Sequence, residues 1–468
     1  MSAEAALAYA RAHRAQAIDD LAALVRYPSV SAQPARSRDV AACATHLAAR
    51  LRRAGFEHVR ILPTRRHPVV WCACHRARGL PRLLVYAHYD VQPADPESAW
   101  QTPPFRPSIR SDGLYGRGAS DDKGQLVAHL AALEAYLRGA GRLPVNVTCL
   151  FEGEEEIGSP SLRELLLRER GRFAADVAVV SDTAILGPNR PALTYALRGA
   201  LGLELDVLGP AAELHSGIFG GAAPNPLEAL ASIVCSLHDA HGRVAVEGFY
   251  DAVRKVSAEE RAQLARSGPS DDTLRAAART PVLVGEPGYS AYERTTIRPS
   301  LSVNGISGGY AGPGSKAIVP ARAHAKLGCR LVSDQRPEEI ERALRRHIAR
   351  VAPPGVTVTL RRGMTARPVT VDRSHPAMRA AAVAYERGFG TPPALLRSGG
   401  TVPVVGLLRE LLGIPVVPMG FGLPDDGIHG PNERMHLPTL ARAVDTCIWF
   451  LSELARDRTR PRLAGAVA

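Results

Sequence analysis

Lysine is nearly absent from this sequence. Only four of its 468 residues are lysine (Lys123, Lys255, Lys316 and Lys326), although lysine and arginine together number 58 and the formal net charge is +12. Such a charge invites a nucleic-acid reading, but phosphate binding needs clustered cations. Arginine is spread along the whole chain, no basic run is interleaved with aromatics, and aromatics reach only 5%. No nucleic-acid partner is therefore expected. The arginine bias reads as genome composition, and a preference for anionic substrates stays open. No window of eighteen apolar residues occurs, so no membrane span is expected. The opening MSAEAALAYARAH lacks a basic start followed by an apolar core, so no signal peptide is expected. Seven cysteines at unrelated spacings speak against a disulfide framework and for reduced thiols in the cytoplasm. Cys72, Cys74 and His75 in VVWCACH alternate as strand residues do, which outweighs a zinc-site reading.

At 468 residues the chain exceeds one ordinary core, so two domains are expected. A hydrophobic fraction of 46% with 22% charged residues fits a folded globular chain rather than a disordered one. Apolar spacing predicts helices over 3–26 and 37–54, strands at 67–74 and 82–87, and a proline-rich loop from Gln92 to Pro107. LVAHLAALEAYL predicts a buried helix opening near Asp122 and running to about Arg138. Strand 145–151, helix 160–170 and strands 176–180 and 192–197 follow. Strands alternating with helices imply an α/β domain with a mainly parallel sheet and flanking helices. After Gly199 the texture changes. LGLELDVLG alternates like a half-exposed strand, and helix 224–240, strands LSVNGISGG, HAKLGCRLV and VTVTLRR, and helix 337–350 form an α+β stretch. The α/β texture resumes with helices 375–388 and 402–412, strand IPVVPMG and a closing helix at 437–455. The expected architecture is one discontinuous α/β domain, 1–197 and 365–468, around an inserted α+β domain at 198–364.

Five short motifs rich in acids or histidine sit just after strand-like runs or in Gly/Pro-rich loops. They are HYD (88–90), SDDKG (120–124), EGEEEIGS (152–159), SDT (181–183) and HGPNE (429–433). His88 and Asp90 follow LLVYA, so both emerge at the C-terminal end of a buried strand, where α/β proteins place their sites. At i and i+2 they share a face. One can be a ligand while the carboxylate orients its ring, although a histidine paired with an acid for stability is spelled the same way. Asp121 and Asp122 follow Gly116 and Gly118 at a helix start. A lone acid there is ordinarily a cap or dipole partner; two adjacent acids after a glycine-rich turn are less easily explained so. In EGEEEIGS, Glu152, Glu154, Glu155 and Glu156 crowd a strand end. A solvated charge run is the ordinary reading, yet such a cluster is costly unless cations neutralise it. One glutamate can ligate a metal while its neighbour takes a proton from water. Asp182 repeats the pattern after DVAVVS. His429 lies in DDGIHGPNE, a loop with little helix or strand propensity, where a histidine is either a ligand or merely exposed.

At these residues the sequence resembles the M20 metallopeptidases, and most of all their dipeptidase branch with the carnosinase-type enzymes. The resemblance is carried by YAHYDVQP (86–93), GLYGRGASDDKGQ (113–125), EGEEEIGS, SDT, HSG (215–217), YAGPGSKAIVPA (310–321), SGGTVP (398–403) and HGPNE, in the family's order. It implies that Asp121 bridges two divalent cations, that His88 and Asp182 complete one site, and that Glu156 and His429 complete the other. It further implies Glu155 as general base, Asp90 as the partner that orients His88, and the inserted domain as a lid that dimerises. His215 would stabilise the oxyanion, reaching it across the dimer; Arg330 would grip the substrate's carboxylate, and Asn304 would contact substrate. Oxygen and imidazole donors suit zinc first, with manganese or cobalt as alternatives, and two such ions about 3.5–4 Å apart activate water and polarise a carbonyl together. No ligand position departs from the family's pattern. His129, His375 and His436 match no ligand position and are expected to be structural or exposed.

The function this implies is that of a cytoplasmic, homodimeric, two-metal exopeptidase acting on dipeptides or similar short peptides. On the same scaffold the alternative is an N-acyl- or N-carbamoyl-amino acid amidohydrolase, since pocket shape decides such questions. From a different class, a catalytically silent binding or scaffold protein would show damage at Glu155 or a ligand, and none is present.

Overall fold

A computed structural model describes residues 3–456. The chain divides into two compact units. The first takes the chain up to Tyr195, then Val371–Leu396 and everything from Pro403; the second is Ala196–Thr370 with Arg397–Val402. The short segment 397–402 joins the second unit because it is stitched to it: Arg198 donates its backbone N–H to the Gly400 carbonyl at 3.1 Å.

The sheet of the first unit has six strands in the order His58–Leu62, Val69–Cys74, Asn146–Glu152, Arg82–His88, Val177–Val180 and Val416–Pro418. From Asn146–Glu152 onward neighbours pair in parallel, while the two strands at the other edge pair antiparallel. Every residue of Asn146–Glu152 and Val177–Val180 is buried, as expected of parallel strands covered on both faces. The register aligns His88 with Glu152 and Tyr86 with Val180. Three strands therefore end together, and HYD, EGEEEIGS and SDT all start at one edge of the sheet.

Helix Lys123–Glu134 is buried on nearly every face and passes into a wider turn at Ala135–Gly139. The helix predicted over 3–26 is two helices, Ala3–Ala12 and Arg14–Val25. The break falls at His13, whose Nδ1 turns back to the Tyr9 carbonyl at 2.8 Å. Helix Ser37–Ala54 stops at Gly55, whose φ of +110° suits a residue without a side chain. Pro376–Phe389 opens with proline in its first turn, and His375 caps it by accepting from Ala377 N–H. Cys72 and Cys74 lie in strand Val69–Cys74, and all seven cysteines are free thiols. Among the described residues no helix is long and apolar enough to cross a membrane.

The second unit holds a four-stranded antiparallel sheet in the order Ser300–Gly308, Arg322–Leu331, Gly199–Leu208, Thr357–Ala366. Alternation sends Leu201, Leu203, Leu205 and Val207 to one face, where they pack with Ile233 of helix Pro226–Ser236 and Leu344 of helix Pro337–Val351. The other face carries His324, Lys326 and Arg330. Three helices in this unit, Ala258–Ser267, Asp271–Ala278 and Ala291–Thr296, are not among the predicted elements. They are polar and short, and serine side chains start all three: Ser257, Ser270 and Ser290. Leu205 is fully buried in the central strand, so Leu205→Ala is expected to destabilise the protein by about 3 kcal/mol. A urea melt followed by circular dichroism measures this; a loss below about 1 kcal/mol would show that the cluster does not hold this unit.

Candidate metal centre

Two groups of donors converge at the sheet edge of the first unit. His88, Asp121 and Asp182 offer ligand atoms that all lie within 4.8 Å of one another, and so do Asp121, Glu156 and His429. Asp121 belongs to both. His88 Nε2 is 3.1 Å from Asp121 Oδ1, and His429 Nε2 is 2.9 Å from Asp121 Oδ2 and 3.3 Å from Glu156 Oε2. His88 Nδ1 lies 3.1 Å from the Asp90 carbonyl oxygen and 3.4 Å from Asp90 Oδ1. With the proton on Nδ1 donated there, Nε2 is left as the donor atom.

Buried acids outside the donor groups hold the loops in place. The carboxylate of Asp90 accepts the backbone N–H of Glu155 at 3.2 Å and of Glu156 at 3.1 Å. One residue thus fixes both the imidazole of His88 and the start of the acidic turn. Glu433 does the same for the Asp121 loop. It accepts N–H groups of Gly118, Ser120 and Asp121 at 2.8–3.0 Å and the guanidinium of Arg117 at 2.8 Å. Gly118 has φ +82°, and a Cβ there would lie 2.4 Å from Val91, so the turn that presents Asp121 requires glycine. Asp121 and Asp122 are joined by a cis peptide, and Asp122 turns to accept the His88 N–H at 3.0 Å. Glu154 accepts from Thr64 Oγ1, His67 N and Ser161 N at 2.8–2.9 Å, which makes it a strut. His429 sits at φ +62°, a left-handed conformation that costs about 1 kcal/mol or more outside glycine and gathers at functional sites. His129 is structural: its Nε2 is 2.7 Å from Ser181 Oγ, and burial lowers its pKa to about 4.

The charges explain what this arrangement takes. Burial opposes ionisation of Asp121, yet its hydrogen bonds with His429 and His88 hold it below the usual carboxylate range. Burial also opposes a charge on His88, but Asp121 and Asp90 raise its pKa well above the ordinary value. Asp121 and Glu156 push His429 up to about 10. Asp182 and Glu155 are both raised well above the usual range, first by burial and then by neighbouring acids. Among the described residues no lysine or arginine pairs with Asp121, Glu155, Glu156 or Asp182. Without a cation the cluster holds protons; with two divalent cations its carboxylates and imidazoles are neutralised. The donor set fits such a pair, and the absence of thiolate suits zinc, manganese or cobalt alike.

The remaining predicted residues lie in the second unit. His215 ends the short strand Leu214–His215 and is exposed; its Nδ1 accepts from Gly217 N–H at 3.0 Å, which leaves the proton on Nε2. Arg330 is exposed on strand Arg322–Leu331 and donates to Thr401 Oγ1 at 2.8 Å. Asn304 is exposed at the register irregularity between Val303 and Gly305. His436 is 2.9 Å from Asp112 and 2.7 Å from Thr439, a structural place.

A mixed α/β sheet with carboxylate and histidine donors at its edge is the arrangement of a metal-dependent hydrolase. The chain belongs to peptidase family M20/M25/M40, which matches residues 84–453. It is 31% identical over 386 residues to the Cys-Gly metallodipeptidase dug1 of Schizosaccharomyces pombe, covering 80% of each chain. It is 32% identical over 381 residues to the human Beta-Ala-His dipeptidase, covering 80% of this chain and 75% of that one. Among solved structures it resembles the dipeptidase Dug1p of Saccharomyces cerevisiae, with a TM-score of 0.87 and 27% identity over 97% of this chain and 99% of the other.

Two outcomes are expected of the centre. Because His88 and His429 hold protons at neutral pH, loading with zinc should release protons, and apparent affinity should rise with pH. Calorimetry in two buffers of different ionisation enthalpy reads this directly; identical heats would contradict it. Glu433→Gln places an amide where three N–H groups need an acceptor, and zinc affinity should fall about 10–100-fold with the fold retained. Unchanged affinity in a parallel titration would remove Glu433 from the site.

Proposed function

We propose that this protein is a dipeptidase that uses two metal ions, zinc ahead of manganese or cobalt, to hydrolyse the amide bond of dipeptides. The observation that carries the reading is Glu155. Its carboxylate has no hydrogen bond or ion pair among the described residues, is half-buried, and lies next to two donor groups that share Asp121. Its raised pKa suits a group that takes up a proton and returns it.

His88, Asp121 and Asp182 would hold one ion, and Asp121, Glu156 and His429 the other. When bound, the ions supply Lewis acidity for the carbonyl and lower the pKa of water. Glu155 removes the proton from the attacking water and delivers it to the leaving amine. Asp90 keeps Glu155 in place through its backbone amide. His215, with its proton on Nε2, donates to the oxyanion. Arg330 binds the substrate's carboxylate as a planar fork, and Asn304 contacts the substrate.

We assign the second unit as the lid and as the interface of a homodimer, from which His215 acts across the dimer. Ile218, 70% exposed, and Phe219 come shortly after His215, beyond Ser216 and Gly217, and large apolar side chains left in water favour burial against another surface. Seven free thiols support placement in the reducing cytoplasm.

Glu155→Gln is expected to bind two zinc ions per chain while kcat on a dipeptide falls about 10²–10⁴-fold. Metal analysis beside steady-state assays decides the matter. A variant with full metal and normal turnover would show that another group is the base.

A further inference from the structure

Arg198 lies just before strand Gly199–Leu208, and Arg330 pairs with Ala200 across the strands. A single loop ties the two arginines together. Arg198 Nε donates to the Gly399 carbonyl at 3.0 Å, and Thr401 Oγ1 donates to the Arg198 carbonyl at 2.8 Å while accepting from Arg330 Nη1 at 2.8 Å. Gly399 has no room for a side chain, since a Cβ would lie 2.6 Å from the Thr295 carbonyl oxygen and 3.2 Å from Arg198 Nη2. The backbone thus presses against a guanidinium of which, among the described residues, only Nε is engaged. No acid pairs with Arg198 or Arg330 among the described residues. Burial, and then the charge of Arg330, lower the Arg198 pKa to about 10, so Arg198 is still charged at neutral pH beside the Arg330 guanidinium.

Several other arginines in this unit are paired with acids: Arg254 with Asp334, Arg298 with Glu286, and Arg362 with Glu341. An uncompensated pair held together by a glycine-tight loop is a place for an anion from outside.

We propose that Arg198 and Arg330 form one doubly cationic subsite that selects substrates whose C-terminal residue carries a second negative charge, so that dipeptides ending in aspartate or glutamate are favoured. This rests on the dipeptidase reading and on Arg330 as its carboxylate anchor. One carboxylate neutralises one guanidinium, and an acidic side chain neutralises the other. Arg198 is then a specificity residue, and its positive charge matters more than its bond to Gly399.

The test compares Ala-Asp with its neutral isostere Ala-Asn in the zinc-loaded protein. The native enzyme should prefer Ala-Asp by about tenfold in kcat/KM, the scale of one charge-assisted contact. Arg198→Gln should bring the ratio near one, mainly through KM, whereas Arg198→Lys, which loses the bond to Gly399 but keeps the charge, should retain most of the preference. Equal rates on both peptides, or a ratio that Arg198→Gln leaves unmoved, would overturn the subsite and leave the dipeptidase reading standing. A preference lost equally in Arg198→Lys would assign Arg198 a purely structural role and overturn it too. Hydrolysis of neither peptide would overturn the dipeptidase reading and this inference with it.

Discussion

Four carboxylates, those of Asp121, Glu155, Glu156 and Asp182, are brought together at one edge of a buried sheet, and among the described residues only histidines form ion pairs with any of them. Everything else in the first unit has to accommodate this. A protein that meant only to be stable would place arginine or lysine there, since an uncompensated buried carboxylate costs several kcal/mol. This chain is rich in arginine, yet among the described residues none pairs with these four carboxylates. The charge deficit is what makes the place a site for cations, and in their absence protons occupy it.

The deficit is possible because the loops are held by other means. Asp90 and Glu433 are also acids, but their oxygens accept backbone N–H groups instead of converging with the donor atoms. A carboxylate that accepts several N–H groups has its oxygens satisfied in place. The ring of acids around the centre therefore has two populations: donors that wait for a cation, and struts already bonded to the backbone. Their chemistry is the same; their neighbours differ. The left-handed backbone at His429 is tolerated on the same terms, because Asp426 and Gly427 fix its loop through the Arg434 and Gly430 amides.

How far the sequence reveals this follows from the same distinction. Strands Arg82–His88, Asn146–Glu152 and Val177–Val180 are legible because parallel strands are continuous apolar runs, and the donors are legible because each follows such a run. Adjacent acids of opposite role are not. Glu154 and Glu155 are neighbours in sequence, yet one ties Thr64 to Ser161 while the carboxylate of the other has no partner among the described residues, and only the path of the turn decides which. Glu433 stands in a quoted motif, but its backbone partners leave no trace in residue identity. The break at His13 is invisible to apolar spacing, which continues through it. The helices of residues 258–296 fail the opposite way. Their serine caps are present, with Ser290 and Glu293 forming a reciprocal capping box, but polar helices give no periodic apolar face to detect.

If Arg198 and Arg330 bind substrate as proposed, the two units divide the chemical work by the kind of charge they leave uncompensated. The first leaves carboxylates open at a sheet edge; the second leaves Arg198 and Arg330 open beside a glycine-tight loop. Open negative charge calls for metal ions, which supply reactivity with little discrimination among amides. Open positive charge calls for an anionic end group, which supplies discrimination with no chemistry of its own. A fold that keeps the first set fixed can change its substrate by altering the second, since neither Arg198 nor Thr401 bonds to a donor residue. Catalytic competence and substrate choice are then written in separate residues, and the metal donors alone cannot say what is cut.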